Sequence, residues 1–289
     1  MSIDVLQEKI RKTKNPSVLV LEAYRSLIPQ GFLENGISCA EACGSYYEKL
    51  LLQLKGVVPA VRFGFGSFAM LGGEGLKTLE KLVAAAREAG YYVLLDLPEP
   101  LSAMSAENMA LQLAGETWLW HWDAIVLPAY LGSDVVKPFL PLCRKEKAIF
   151  PVVRTGNRSA AEIQDLLTGS RLVHTAVADI ISRQGEAFIG KCGYSQVGAL
   201  AGASAANSLK ALRAKYPGMF LLLDGYDYPN ANAKNCSFAF DKLGHGAAAC
   251  AGTSIIGAWQ AEGAADPLSA ALDAAERMKK NITRYITVL

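Results

Sequence analysis

What this chain lacks narrows it before any motif is read. No continuous apolar run approaches the roughly 18 residues that a membrane helix needs, so no membrane association is expected. There is no surplus of one charge: 29 Lys and Arg stand against 27 Asp and Glu, a net charge of +2. That balance supplies no general field for nucleic acid or a membrane surface, and a small anion would need a local site. The six cysteines, Cys39, Cys43, Cys143, Cys192, Cys236 and Cys250, have no spacing typical of zinc sites or of a small disulfide framework. Cys39 and Cys43 fall one helical turn apart, but without a second pair they make a weak metal site. His121, His174 and His245 show neither metal-ligand spacing nor a nearby carboxylate, and are expected at the surface or the core edge. No metal and no cofactor are expected. The segment MSIDVLQEKIRKTKNPS mixes acids and bases without an apolar core, unlike a signal peptide. Reduced thiols and a cytoplasmic location follow as expectations.

What is present is apolar material in a regular rhythm. Apolar residues make up 51% of the chain and charged ones 19%, enough to bury a sizeable core. Short apolar runs of strand length recur at Ser17–Leu21, Ala60–Phe65, Tyr91–Leu97, Ala124–Pro128, Ala148–Arg154, Gln196–Leu200, Met219–Leu223 and Ala247–Cys250. Amphipathic stretches separate them: Ala40–Leu54, Gly75–Ala89, Ala106–Ala114, Val135–Lys145, Arg171–Arg183 and Ala205–Lys215. Ile3–Lys12 precedes the first strand and Pro267–Lys280 follows the last. Eight β/α units without a Pro/Gly/Ser-rich linker predict one domain over residues 1–289, a (β/α)8 TIM barrel with an N-terminal helix. Two longer connections, Arg158–Ser170 and Asp227–Asp241, follow the fifth and seventh strands. They fall on the face where active-site lids occur, and ordinary surface loops fit their spacing equally well.

The chemistry of such barrels is mounted at the carboxyl ends of the strands. The third strand candidate and its continuation read YYVLLDLPEPL, placing Asp96 at the strand end, then Pro98, Glu99, Pro100 and Leu101. Small-residue turns follow the sixth and eighth strands, at Ala201–Ser204 and Ala251–Ser254. Their amides could approach an anion closely, with a helix beginning at Ile255 behind the second turn, although glycine-rich turns are common without any ligand. Trp118, Trp120 and Trp122 alternate as on an extended segment and are expected to pack against a neighbouring surface.

Six segments in this order resemble one family: NPSVLVLEAYRSLIP at Asn15–Pro29, GVVPAVRF at Gly56–Phe63, AYLGSD at Ala129–Asp134, RTGNRSAAEIQDL at Arg154–Leu166, GYSQVGALAGAS at Gly193–Ser204, and Gly246–Trp259. The chain is similar here to orotidine 5'-phosphate decarboxylases of the longer bacterial subgroup, from its opening helix to about Trp259. The resemblance implies a dimeric β/α barrel that removes carbon dioxide from orotidine monophosphate. It also implies a lysine after the second strand and a D-x-K-x-x-D motif after the third, whose lysine protonates the carbanion left behind.

At the corresponding positions this chain has Arg62, Asp96, Pro98 and Leu101. A proline side chain has no ionisable group, so position 98 offers neither a proton nor a balancing cation. The resemblance further places Glu22 where the family has an aspartate and Gly156 where a serine reads the pyrimidine. Pro229, in DGYDYPNA, stands for a phosphate-contacting glutamine and Thr253 for the phosphate-binding arginine. Asp96, Arg62 and Glu22 therefore mark a degraded catalytic site, while Thr155, Asn157, Tyr226, Gly252, Thr253 and Ser254 remain as neutral ligand-binding candidates. The expectation is loss of decarboxylation, with a role as a binding or partner subunit, as a homodimer or a heteromer with a related barrel. Weak binding of a phosphorylated small molecule or nucleotide is compatible with it. Two other readings stay open: altered acid–base chemistry on a phosphorylated small molecule, using Asp96, Glu99, Glu22 and Arg62, and residual orotidine monophosphate decarboxylation.

Overall fold

Parallel strands buried on both faces need apolar residues at nearly every position, and the eight runs supply them. In the computed structural model, which describes residues 1–33, 36–115 and 121–288, they close into one parallel barrel. Its strands are β1 (Ser17–Leu21), β2 (Ala60–Gly64), β3 (Tyr92–Asp96), β4 (Ala124–Leu127), β5 (Ala148–Arg154), β6 (Ala199–Gly202), β7 (Leu221–Asp224) and β8 (Ala247–Ala251). Each pairs with its neighbour in sequence, and β1 closes the ring against β8 through Ser17 opposite Ala249. The expected (β/α)8 TIM barrel with its N-terminal helix is the fold observed.

The longer helices are α1 (Ser2–Thr13), α2 (Cys39–Gln53), α3 (Gly72–Glu88), α4 (Ala103–Ala114), α5 (Val173–Gly185), α6 (Ala206–Lys215) and α7 (Pro267–Thr283). Local chemistry sets their starts. Ser38 and Glu41 form a reciprocal capping box at α2, and Asp266 caps α7 with Pro267 in its first turn, satisfying amides that a helix start leaves open. From α2 onward, apolar faces of the helices pack against outward strand residues such as Val61, Phe63, Val93 and Leu95. Helix α1 does something different. Its Ile3, Leu6 and Ile10 join the inward residues Val18, Tyr92, Leu94, Phe150 and Phe220 in the barrel's inner core. Each is fully buried, contributing about 1.5–3 kcal/mol per side chain. The amino end of the barrel is thereby sealed.

The structure departs from expectation where proline or glycine intervenes. The single helix expected over Val135–Lys145 is two short helices, Ser133–Val136 and Leu140–Arg144, joined by a tight 3-10 turn. Pro138 and Pro141 remove the amide donors that a continuous helix would use. The sixth strand begins at Ala199 rather than Gln196, with Val197 held by an isolated bridge to Ile149. Between them lies Gly198, where any Cβ would come within 2.6 Å of the Phe150 ring. The connection after β5 carries a small hairpin, Leu167–Thr168 with Arg171–Leu172, and the one after β7 carries a short helix, Ala233–Ser237, capped by Asn232. The helix expected from Ile255 begins at Thr253 and lasts one turn. Trp122 is buried, with the Lys147 ammonium 4.7 Å from its ring centre; Trp118 and Trp120 lie outside the described residues. Among the described residues, no helix is long and apolar enough to cross a membrane.

Candidate functional site

Strand residues alternate between the two faces of a barrel wall, so the inward set can be counted upward from the sealed floor. In β3, Tyr92 and Leu94 point inward, which makes Asp96 the next inward residue. The same count places Arg62 above Ala60 in β2, and Asp224 above Leu222 in β7. These three side chains meet. Arg62 donates from Nε to Asp96 Oδ1 at 2.6 Å and from Nη1 to Asp224 Oδ1 at 2.5 Å. Arg62 is only 9% exposed. Burial would lower its pKa, but the two carboxylates outweigh that and hold the guanidinium firmly protonated. Burial pushes the Asp96 carboxyl above its ordinary range, against the pull of Arg62. Burial also raises the Cys250 thiol, next to Arg62, to about 12, so it is no nucleophile at neutral pH.

Above this layer Glu22 follows β1 and lies over Gly64, where an added Cβ would sit 2.7 Å from its Cγ. Glu22, Asp224 and Asp227 line an inner cavity of about 120 Å³ together with Tyr24, Tyr228 and Thr253. Asp227 accepts the Gly252 amide at 2.6 Å. The Tyr24 phenol is raised by burial and by its hydrogen bond to Glu22, and that of Tyr228 by Asp224, burial and Glu22. The Tyr228 ring bears on two glycines: an added Cβ would meet it at 2.8 Å from Gly156 and 2.3 Å from Gly225, whose φ is +74°. No larger residue fits either position without moving the ring.

On the other side of Tyr228 a groove of about 720 Å³ opens between the loops after β5, β6 and β7. Its wall is braced by Arg154, which donates from Nε and Nη2 to Asp165 at 3.0 and 2.8 Å. This pairing, aided by His174, holds the Asp165 carboxyl below its usual range. His174 is buried, with Nδ1 at 3.1 Å from Asp165 and 3.0 Å from the Gln164 carbonyl. That carboxylate partner corrects the isolated histidine expected from spacing; the hairpin brings His174 back onto the preceding loop.

The candidates read from the sequence are placed as follows. Asp96 and Arg62 are in direct contact, and Glu22 and Thr253 line the inner cavity with Gly252. Ser254 is exposed on the same turn. Thr155 and Asn157 are tied together at 2.5 Å, and Gln164 both donates to the Thr155 hydroxyl and accepts its amide. Tyr226 packs into the outer core and is hydrogen-bonded to Asn281, away from the mouth. Pro98 and Glu99 are exposed, and Leu101 is 80% exposed. Asp224 and Tyr228 are absent from that set. The sequence did carry a signal for Asp224: LLLD at 221–224 repeats the LLD that ends β3. Among the described residues, no group of three or more His, Cys, Asp and Glu is arranged to hold a metal ion.

A closed parallel barrel with its floor sealed and its ionic groups gathered at the carboxyl strand ends defines the class, a β/α barrel with a site at the mouth. No family model matches the chain. It is 27% identical over 261 residues to the orotidine 5'-phosphate decarboxylase of Clostridium novyi (strain NT), covering 89% of each chain. To that of Rhodopirellula baltica it is 28% identical over 230 residues, 78% of this chain and 76% of the relative. Among solved structures, the Leishmania donovani OMP decarboxylase superposes with a TM-score of 0.74 at 23% identity, covering 98% of this chain and 99% of the other. The Plasmodium berghei orotidine 5'-monophosphate decarboxylase gives 0.74 at 13% identity, over 98% of both. The structural likeness shows the fold. Together with the curated relatives it bears out the resemblance to orotidine 5'-phosphate decarboxylases along most of the chain.

Proposed function

We propose that this chain is an orotidine 5'-phosphate decarboxylase-like barrel of pyrimidine biosynthesis that no longer decarboxylates and serves as a binding or partner subunit. In this reading residues 1–289 form one cytoplasmic domain. One observation carries it: Arg62, the cation among the inward groups, is spent on Asp96 and Asp224, and no lysine lines either cavity at the mouth. Decarboxylation leaves a carbanion that must be stabilised and then protonated, which requires a cation able to give up a proton. A guanidinium held by two carboxylates gives up none at neutral pH. The resemblance puts the ammonium group at Pro98 and a second carboxylate at Leu101, both now exposed and without charge.

Size and charge support the same reading. An inner cavity of about 120 Å³ lined by three carboxylates is below the roughly 300 Å³ of small-molecule sites and repels a phosphate ester. Exposed Met70, Leu101, Met104 and Leu131 follow β2, β3 and β4 in turn and favour association, as a homodimer or with a related barrel. Purified chain incubated with orotidine 5'-monophosphate should form no uridine 5'-monophosphate above the buffer rate, and its native mass should exceed that of one chain. Turnover at ordinary enzymatic rates, or a monomer at all concentrations, would refute the corresponding half.

The raised Asp96 carboxyl favours a second reading, altered acid–base chemistry on a phosphorylated small molecule, since perturbed carboxyls mark active sites. Chemical change of a phosphorylated sugar or nucleotide, abolished by Asp96→Asn, would select it.

A further inference from the structure

Tyr228 separates two cavities of opposite character. Three carboxylates and no cation line the inner one, whereas the outer groove presents Arg154 and Arg158 and no acid. The two arginines differ. Arg154 is committed to Asp165 and to the Thr155 carbonyl, so it braces the wall. Arg158 is exposed on the groove and forms no ion pair among the described residues. Beside it stand neutral groups with unused capacity. Asn157 accepts from Thr155 through Oδ1, and its amide hydrogens meet no acceptor among the described residues. Ser204 donates to the Gly156 carbonyl, leaving its lone pairs free. Asn230, in the left-handed region at φ +71°, is fixed through its carbonyl by the Asn235 amide. The Tyr228 ring, 41% exposed, contributes to the walls of both cavities and packs against the backbones of Gly156 and Gly225.

We infer that this outer groove binds a small aromatic oxyanion, its ring against Tyr228 and its anionic group on the Arg158 guanidinium. The inference rests on the binding-barrel reading above and deepens it, moving the ligand from the inner turn at Thr253 to the far side of Tyr228. The volume of about 720 Å³ falls within the range of small-molecule sites. A guanidinium offers a planar fork that fits phosphate or carboxylate. An aromatic face adds stacking that a bare inorganic ion cannot use. Carboxylates are absent from the lining, so an aromatic cation of the same size meets no opposite charge there.

Titration calorimetry of the full chain with phenyl phosphate, inorganic phosphate and benzylamine tests the assignment. Phenyl phosphate should bind about 2- to 10-fold more tightly than inorganic phosphate, the range of a stacked aromatic pair, and any binding of benzylamine should be unaffected by Arg158→Ala. Arg158→Ala, an exposed change that leaves the core intact, should weaken phenyl phosphate about 10- to 100-fold, as for a lost charged hydrogen bond. Tyr228→Ala should bring phenyl phosphate down to the affinity of inorganic phosphate. Lys77→Ala, an exposed charge on α3 outside both cavities, should change neither. Absence of phenyl phosphate binding at millimolar concentration overturns the inference, as does affinity that survives Arg158→Ala or is lost equally with Lys77→Ala. Turnover of orotidine 5'-monophosphate alongside Arg158-dependent binding would instead sink the non-decarboxylating reading and leave the groove assignment standing.

Discussion

The two ends of this barrel are finished by opposite physics. At the amino end, α1 lays Ile3, Leu6 and Ile10 across the strand starts, and some of the polar groups there pair with one another: Ser2 shares a hydrogen bond with the Tyr92 hydroxyl at 2.7 Å and donates its amide to Gln196 at 2.7 Å. At the carboxyl end the inward residues are ionic, and Arg62 is cancelled by Asp96 and Asp224. The floor is a stability device that depends mainly on apolar area. The mouth is a charge device, and the balance of its charges decides what it can do. On the proposed reading, the barrel is kept while the mouth changes character.

Breaking the mouth should cost most. Arg62→Ala leaves Asp96 and Asp224 facing each other without their cation, and urea denaturation should report a loss of about 3–5 kcal/mol, the scale for stripping one partner from a buried ion pair. Breaking the floor comes next: Leu6→Ala opens a cavity under the inner core and should cost about 2–5 kcal/mol in the same measurement. If Leu6→Ala cost under 1 kcal/mol, α1 would be a loose cover rather than a seal.

A third change probes the Tyr228 wall. Gly225→Ala puts a Cβ at φ +74° and against the ring, and should cost about 1–3 kcal/mol in thermal unfolding. The cost should fall when Tyr228→Ala is combined with it, and additivity of the two changes would show that the ring is not what Gly225 accommodates.

The smallest effect is the pH response of the groove wall. Asp165 is held below its unfolded value chiefly by its hydrogen bonds to Arg154. A depressed folded-state pKa stabilises the fold above the unfolded value near 4 and loses that contribution as pH falls through the folded value. The urea midpoint should therefore drop on the acid side of pH 4. Asp165→Asn should flatten that drop while leaving the neutral-to-alkaline limb unchanged; an unaltered acid limb would remove the pair from the account.

Most of the barrel was legible in the chain, because strand burial and helix periodicity are local signals. Five of the eight strands begin where their apolar runs begin and two more begin one or two residues later; the larger discrepancies fall at Gly198 and at Pro138 and Pro141, where backbone chemistry overrides pattern. The mouth was legible only in part. Arg62, Asp96 and Glu22 could be placed by strand-end position and resemblance, but their mutual geometry could not. The pairing of Arg62 with Asp224 spans 162 positions. The Asp165–His174 contact depends on a hairpin of two-residue strands too short for any periodicity to register. Tyr228 is a loop residue whose importance comes from two glycines on different loops, Gly156 and Gly225, and nothing in its own neighbourhood announces it.

The central claim concerns the missing proton source, and release of labelled carbon dioxide from carboxyl-labelled orotidine 5'-monophosphate tests it most directly. Removing one main electrostatic contributor typically lowers a rate about 100- to 1000-fold, and the proposed reading removes both lysine functions that the resemblance implies. The account predicts release indistinguishable from a protein-free control, unchanged by Asp96→Ala. Steady release on the scale of about 1 per second or faster, the usual range for enzymes, that Asp96→Ala abolishes would contradict it.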